Sequence, residues 1–180
     1  PQPTRLAAGP PRAAATPGHE RITRSGAALE YAVRMTAGPD EEDPDRWAAA
    51  LVAVVLGDGS GSRLYWELVD PGIAEHATLG HQDFLDAGLF ITQLSCEAEE
   101  TDELLERILA IYREASQTGI SRKEFEQARN KAAGRVVLAG ERPRRRLFDV
   151  GLEWSHARRY RSVADTLALV ESVTFDDLHR

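Results

Sequence analysis

The stretch AALVAVVLGDGSGSRLYWELVDPGIAEH, residues 49–76, decides how the rest of the sequence is interpreted. An apolar run rich in alanine and valine leads into three alternate glycines at 57–61, and a second apolar segment ends at Glu75 and His76. Glycine-rich loops of this kind bind phosphate in some proteins, and a Glu-His pair closes the inverted zinc motif H-x-x-E-H. The stretch therefore suggests two different chemistries.

The spacing excludes the common phosphate-binding loops. A dinucleotide fingerprint requires G-x-G-x-x-G after a short β-branched strand. Residues 57–61 read G-x-G-x-G instead, and the run before them has helical spacing. The Lys-Ser or Lys-Thr pair of a Walker loop is also absent after the glycines. The segment GDGSGS, residues 57–62, is therefore predicted to be a tight turn between two helices.

The zinc motif is incomplete. H-x-x-E-H needs two histidines one helical turn apart, with the glutamate as general base. In GIAEH, residues 72–76, Gly72 occupies the position of the first histidine, and Pro71-Gly72 interrupts the helix. His76 and His81 are five residues apart, which aligns them neither on a helix nor on one face of a strand. We therefore predict no metal ligands and no cofactor in this chain.

Composition narrows the class of protein. The 180 residues carry 22 Lys and Arg against 29 Asp and Glu, a net charge of −7, which argues against nucleic acid as a partner. No run of about 18 apolar residues is present, so no membrane span is predicted. The single cysteine, Cys96, rules out an internal disulfide framework and is expected to be a packed residue. Residues 1–19, rich in proline and alanine, are predicted to be a linker or disordered, and residues 20–180 one domain.

Hydrophobic periodicity predicts strands in two blocks. A short strand is expected at Ile22, and a second carries Leu29, Tyr31, Val33 and Met35 in alternation, so that one face is buried. Further strands are expected in residues 73–99, with a turn at 81–83.

Helical spacing dominates the remainder. Ser121 and Glu124 form a capping box, and Gly119 ends the preceding helix. A later helix begins at Pro143 and is expected to turn Leu147, Val150 and Trp154 inward. Strands and helices in blocks predict an α+β fold with an antiparallel sheet covered on one face by helices.

Arginines are concentrated in ERPRRRLFDV, residues 141–150, and in ARRYR, residues 157–161. A basic helix of this kind can bind a phosphate backbone. Acidic residues at 141, 149 and 153 interrupt the basic face, however, and the protein as a whole is acidic. A solvated face or a patch for a partner protein is the preferred interpretation, and nucleic acid is not an expected partner.

Four pieces, taken in order, resemble a known family: LGDGSGSRLYWEL, GIAEHA, the run DAGLFITQLSCEAEETDELLERILAIYREASQTGISRKEFEQARNKAAGRVVL, and SVADTLALVESVTFDDL. From about Arg21 to Arg180 the chain resembles the non-catalytic C-terminal domain of the pitrilysin/insulinase zinc metallopeptidases, which include the mitochondrial processing peptidases. The resemblance implies a fold of the LuxS and processing-peptidase type. It also implies that the chain is a fragment of a longer protein.

The resemblance further implies a clamshell enzyme. A separate domain or subunit carries H-x-x-E-H and Zn²⁺, and a domain like this one closes over a peptide substrate without cleaving it. The parent protein would be a zinc metalloendopeptidase, in the bacterial cytoplasm or periplasm, and this chain would be inactive alone. The alternative is a structural assembly module of the same fold with no peptidase role.

Three positions are implied to contact substrate: Arg63, Val69 and Glu75. Many relatives carry an Arg and a Tyr in a stretch like VREKRGLAYS that follows the glycine turn. The matching stretch here, LVDPGIAEHA, is one residue shorter and has Val69 in place of the Arg and Glu75 in place of the Tyr. Because a carboxylate and an aliphatic group cannot donate hydrogen bonds to an oxyanion, we predict no catalytic residue in this chain.

Overall fold

The computed structural model describes residues 16–179. Of the predicted linker, residues 1–15 lie outside the described residues, and residues 16–19 are exposed and have no regular secondary structure. The described part has the element order of an α+β domain, with an antiparallel sheet and helices packed on it. The predicted fold class is confirmed.

Among residues 16–179 the sheet has three strands, β1 (Glu30–Gly38), β2 (His76–Asp83) and β3 (Gly88–Cys96). The order is β1-β3-β2 and both pairings are antiparallel, so β3 is the central strand and the other two are edges. Residues that face each other share a side of the sheet. One side carries the buried Ala77 and Leu94 and faces the helices.

The helices follow the predicted order. They are α1 (Arg46–Gly57), a π-helical turn (Tyr65–Val69), α2 (Thr101–Thr118), α3 (Arg122–Gly140), α4 (Pro143–Ala157), α5 (Val163–Ser172) and a 3-10 turn (Asp176–His179). The capping box of Ser121 and Glu124 is present, and Gly119 ends α2 with a φ of 79°. These are local signals, which the chain can satisfy without distant contacts.

The core lies between the sheet and the helices. Its fully buried members are aliphatic side chains from four different elements, and burying each one stabilises the fold by about 1.5–3 kcal/mol. They include Leu51, Leu64, Leu68, Leu94 and Ile108. Cys96 is 2% exposed and packs in the same cluster, as predicted.

Two predictions about the strands are wrong. Residues 16–29 contain no strand, and Ile22 is 82% exposed. A single apolar residue gives a strand too little buried surface to offset the cost of ordering it. The predicted turn at 81–83 belongs to β2, and the chain reverses at 84–87 instead, where Phe84 N donates to Ala87 O at 2.8 Å.

Two predictions about buried faces are also wrong. On β1, Tyr31, Val33 and Met35 are 75%, 57% and 60% exposed, because the helices cover the opposite side of the sheet. On α4, Leu147 and Trp154 are 70% and 53% exposed, whereas the side that faces the protein carries charged residues. Alternation and helical spacing identify a face, but they do not say which neighbour covers it.

The glycine turn joins α1 to the π-helical turn at Tyr65–Val69, and two of its glycines are needed for different reasons. Gly57 lies so close to β2 that an added Cβ would overlap the backbone nitrogen of Leu79. Gly61 has a φ of 71°, a backbone conformation that residues other than glycine rarely adopt. The predicted turn between two helices is therefore confirmed, and its sequence is explained by backbone packing.

Gly57→Ala is expected to destabilise the domain by more than about 3 kcal/mol, because α1 would have to move away from β2. Gly59→Ala is the matched control, since its Cβ would meet nothing within 4 Å. Urea unfolding followed by circular dichroism measures both variants. Equal midpoints for the two variants would contradict the close approach of α1 to β2.

Candidate functional site

The predicted site lies in the segment from Asp58 to His76, which leaves the glycine turn and returns to β2. Ser62 is buried, donates from Oγ to Asp58 O at 2.6 Å and accepts from Tyr65 N at 3.1 Å. Leu64 and Leu68 then enter the core. The serine begins the helical turn and the two leucines fix it over the sheet.

Arg63 points away from this core and joins the turn to a distant part of the chain. Its Nε donates to Glu124 Oε1 at 2.8 Å, and its terminal nitrogen donates to Glu124 Oε2 at 3.1 Å and to Gly119 O at 3.0 Å. The guanidinium therefore holds a carboxylate with two donors and a helix-terminal carbonyl with a third contact. All of these contacts are within the domain.

Glu124 is the most connected carboxylate in this region. Besides Arg63, its Oε2 accepts from Ser121 N at 2.8 Å and from Ser121 Oγ at 2.7 Å. Hydrogen bonds from Arg63 and Ser121 outweigh burial and lower the pKa of Glu124 to about 2. The hydrogen bonds to Glu124 and the charge of that carboxylate outweigh burial and raise the pKa of Arg63. The pair stays ionised throughout the neutral range.

Val69 and Glu75 lie on either side of a tight reversal. Gly72 N donates to Val69 O at 3.0 Å, and Ala74 N donates to Leu68 O at 2.8 Å. Val69 is half-buried against the core. Glu75 is exposed, and its N–H donates to Ser95 O at 2.9 Å, which joins it to the sheet. The segment therefore presents Glu75 to solvent and packs Val69 against the core.

The two histidines near this segment do not converge. His76 is exposed at the start of β2 and lies 3.1 Å from Thr78 Oγ1 through its Nε2. His81 is on the opposite side of the same strand, with its Nε2 2.9 Å from Pro39 O. Within residues 16–179, no three His, Cys, Asp or Glu side chains are grouped so that they could hold a metal ion.

The sequence did not reveal how the glycine turn is held. Asp58 forms an ion pair with Lys131 and another with Arg135 at 2.5 Å, and Lys131 also donates to Ser60 O at 2.7 Å. The partners are more than 70 residues away in the chain. No local pattern signals such a contact. Lys131 and Arg135 of α3 thus hold the turn through Asp58. The turn therefore presents a carboxylate, whereas a phosphate-binding loop would need hydrogen-bond donors there.

A second feature that the sequence did not reveal is a charged cluster between α4 and the rest of the domain. His156 Nδ1 lies 2.8 Å from Glu41 Oε2, and Arg161 forms an ion pair with Glu153 at 3.0 Å. Arg46 is 7% exposed and donates to Glu41 O at 2.8 Å. A cavity of about 620 Å³ opens beside this cluster.

The cluster surrounds Trp47. The guanidinium carbons of Arg46 and Arg161 lie 4.7 and 5.8 Å from its ring centroid. Both arginines of the cluster therefore have an aromatic face beside them, and Arg161 also has the carboxylate of Glu153. The cluster links α4 to the loop before α1 through His156 and Glu41.

Comparison with known proteins identifies the family. Residues 2–132 match the sequence profile of the peptidase M16 inactive domain. The chain is 25% identical over 135 residues to an uncharacterized zinc protease of Mycobacterium tuberculosis and 28% identical over 137 residues to one of Streptomyces coelicolor. These matches cover 74% and 76% of this chain but only 31% and 30% of the relatives. The chain therefore spans about a third of the length of these relatives.

Solved structures agree on the fold. The inactive peptidase domain from Bordetella parapertussis has a TM-score of 0.72 at 24% identity and covers 88% of this chain and 86% of its own. A peptidase M16 inactive domain from Pseudomonas fluorescens has a TM-score of 0.73 at 20% identity, covering 85% of this chain and 37% of its own.

The fold, the profile and the zinc-protease relatives agree with the resemblance drawn from the ordered motifs. The chain belongs to the family of peptidase M16 inactive domains. Among the described residues, no helix has the length and apolar character needed to cross a membrane.

The Arg63–Glu124 pair gives the domain a measurable pH dependence. Because the folded-state pKa of Glu124 is about 2 and its ordinary value is 4.5, the unfolded chain binds a proton there that the folded chain does not. The stabilisation is complete above about pH 5 and is lost as the pH falls from about 4.5 to about 2.

Glu124→Gln is expected to cost about 2 kcal/mol of unfolding free energy at pH 7, and this difference from the wild type should shrink towards zero near pH 2. Glu106→Gln is the control, because that side chain is 74% exposed. Urea titrations at intervals between pH 2 and 7 measure the difference. A difference that stays constant over this range would contradict the assignment.

Proposed function

We propose that this chain is the substrate-enclosing, non-catalytic domain of a zinc-dependent peptidase. It pairs with a separate domain or subunit that carries H-x-x-E-H, and peptide hydrolysis takes place there. One observation carries the proposal: residues 2–132 match the inactive domain of the peptidase M16 family, and the zinc-protease relatives are about three times as long as the part that this chain covers.

The catalytic partner would hold Zn²⁺, because the residues of this chain do not fit it. In a peptidase zinc site of this kind, two of the metal ligands lie one helical turn apart. Residues 72–76 instead form a reversal that leads into β2, and His76 and His81 face opposite sides of the strand. The chain would therefore contribute substrate binding and exclusion of water, with no proton transfer or metal ligation of its own.

The Glu75 end of β2 is where we propose that a peptide approaches. Glu75 and His76 are exposed, and β2 is an edge strand, to which an extended peptide can add by backbone hydrogen bonds. Glu75 would accept hydrogen bonds from the peptide or pair with a basic side chain. Val69 would help to hold the reversal that precedes Glu75, since its carbonyl accepts from Gly72 N, and Arg63 would act by fixing the helical turn that bears Val69.

The test is reconstitution with the H-x-x-E-H domain encoded in the same gene or beside it. The isolated chain is expected to bind no stoichiometric zinc and to hydrolyse no peptide. Adding it to the catalytic domain should raise kcat/KM for an unfolded peptide at least about tenfold, because enclosure orients the substrate. A catalytic domain whose H-x-x-E-H glutamate is replaced by Gln is the control for contaminating peptidases.

Two outcomes would count against the proposal. Peptide hydrolysis by the isolated chain with one bound zinc would show that it is catalytic. A catalytic domain that binds the chain but gains no activity would favour the structural assembly module instead.

Glu75→Tyr is expected to raise kcat of the reconstituted enzyme by up to about tenfold, because a phenol can donate a hydrogen bond to an oxyanion and a carboxylate cannot. Glu75→Gln is the matched control, since it removes the charge without adding the phenol. Steady-state kinetics with one peptide separates kcat from KM. Equal kcat values for the two variants would place Glu75 away from the reacting bond.

A further inference from the structure

Two arginines that follow α4 share a single carboxylate. Arg159 donates to Glu153 Oε1 at 2.8 Å from Nε and at 2.6 Å from a terminal nitrogen, and a terminal nitrogen of Arg161 lies 3.0 Å from the same oxygen. The side chains of Glu153 and Arg161 are both only 13% exposed, whereas that of Arg159 is 55% exposed. The two arginines therefore carry one positive charge more than the carboxylate that they share.

The guanidinium of Arg161 has few partners for its donors. An arginine has several N–H donors, and within residues 16–179 the only carboxylate that those of Arg161 contact is Glu153. Burial is the main reason that the pKa of Arg161 is lowered, and the nearby charges of Arg46 and Arg159 add to it. The guanidinium nevertheless stays charged at neutral pH. Arg161 thus has donors and charge available for an additional anion.

Both arginines line the cavity of about 620 Å³ beside the charged cluster. Cavities of about 300–1,000 Å³ commonly hold small ligands in proteins. Trp47, Leu169 and Val173 belong to the same lining, and Val173 is only 7% exposed. The ring centroid of Trp47 lies 5.8 Å from the guanidinium carbon of Arg161. The cavity therefore combines guanidinium donors with apolar and aromatic contact area.

The rest of the lining favours a carboxylate over a phosphate. Glu41, Glu42 and Asp43 also line the cavity. Asp43 forms no ion pair within the described part of the chain, and its Oδ1 accepts instead from Asp45 N at 2.8 Å. These negative charges would repel a phosphate dianion more strongly than a monovalent carboxylate. A carboxylate also matches the planar fork of a guanidinium.

We propose that this cavity binds the C-terminal carboxylate of a peptide. Arg159 and Arg161 would hold the carboxylate, and an apolar side chain of the terminal residue would lie against Trp47. A bare carboxylate would fill only a small part of the cavity. The acidic residues of the lining can accept hydrogen bonds from peptide N–H groups, which a fatty acid does not have. The proposal goes beyond the proposed function, because binding to this chain is measured without a catalytic partner.

Calorimetric titration of the full 180-residue chain with N-acetyl-Ala-Leu tests the proposal. The C-terminal amide of the same dipeptide is the control ligand, and it is expected to bind at least about tenfold more weakly, because it cannot form charge-assisted hydrogen bonds with a guanidinium. Acetate and hexanoate distinguish the source of the carboxylate. Each should also bind at least about tenfold more weakly than the peptide acid, because neither offers peptide N–H groups to the acidic lining.

Two arginine variants locate the site. Arg161→Gln should weaken binding of the peptide acid at least about tenfold and leave binding of the amide unchanged, whereas a merely structural effect would weaken both. Arg159→Gln should act in the same direction, and it serves if Arg161→Gln does not fold, since Arg159 is more than half exposed. Arg158→Gln is the matched control, because it removes the same charge from a neighbouring residue that does not line the cavity. Circular dichroism checks folding.

Four results would overturn the proposal. They are a wild type that does not bind the peptide acid, equal affinities for the acid and the amide, unchanged affinity in both arginine variants, and inorganic phosphate or hexanoate that binds as tightly as the peptide acid. Activation of the catalytic domain is measured separately, so each of these results would leave the function proposed above standing.

Discussion

The ion pair between Arg63 and Glu124 is the contact on which the arrangement of the domain depends most. It joins the helical turn after the glycines to the start of α3, and its third hydrogen bond holds the carbonyl of Gly119, where α2 ends. One guanidinium therefore sets the positions of three segments that are far apart in the chain. The same carboxylate closes the capping box with Ser121, so the start of α3 and the placement of the turn are coupled.

This coupling shows why an arginine in a family motif need not contact a ligand. The motif Ser-Arg-Leu places Ser62 and Leu64 in the interior, and the residue between them points towards α3. An arginine there can orient the following segment without touching a substrate. The sequence alone cannot distinguish the two roles, because both need an arginine with the same neighbours.

The sequence predicted those features that are set by neighbours in the chain. The capping box at Ser121, the helix end at Gly119 and the tight turn at 57–62 each depend on a few adjacent residues, and all are present. The strand at Ile22 was wrong because strand formation depends on a partner that the local pattern does not contain.

The feature that the sequence predicted least well was which face of a strand or helix is buried. Tyr31 and Leu147 belong to regular apolar patterns, and both patterns are exposed within this domain. Periodicity groups side chains on one face, but the burial of that face depends on distant segments and on whatever else binds there. The sequence did not predict the charged contacts of the glycine turn and of His156 for a related reason, because the partners in these contacts are 70 or more residues apart in the chain.

The contacts that hold the glycine turn affect how readily the turn could be cleaved by a peptidase. Surface turns rich in small residues are preferred cleavage sites, because they adopt an extended form readily. Here Lys131 and Arg135 hold Asp58, and Lys131 also holds the carbonyl of Ser60. A turn tethered in this way cannot straighten without breaking those contacts. If the domain has the function proposed above, these contacts would protect the turn from cleavage by the catalytic partner.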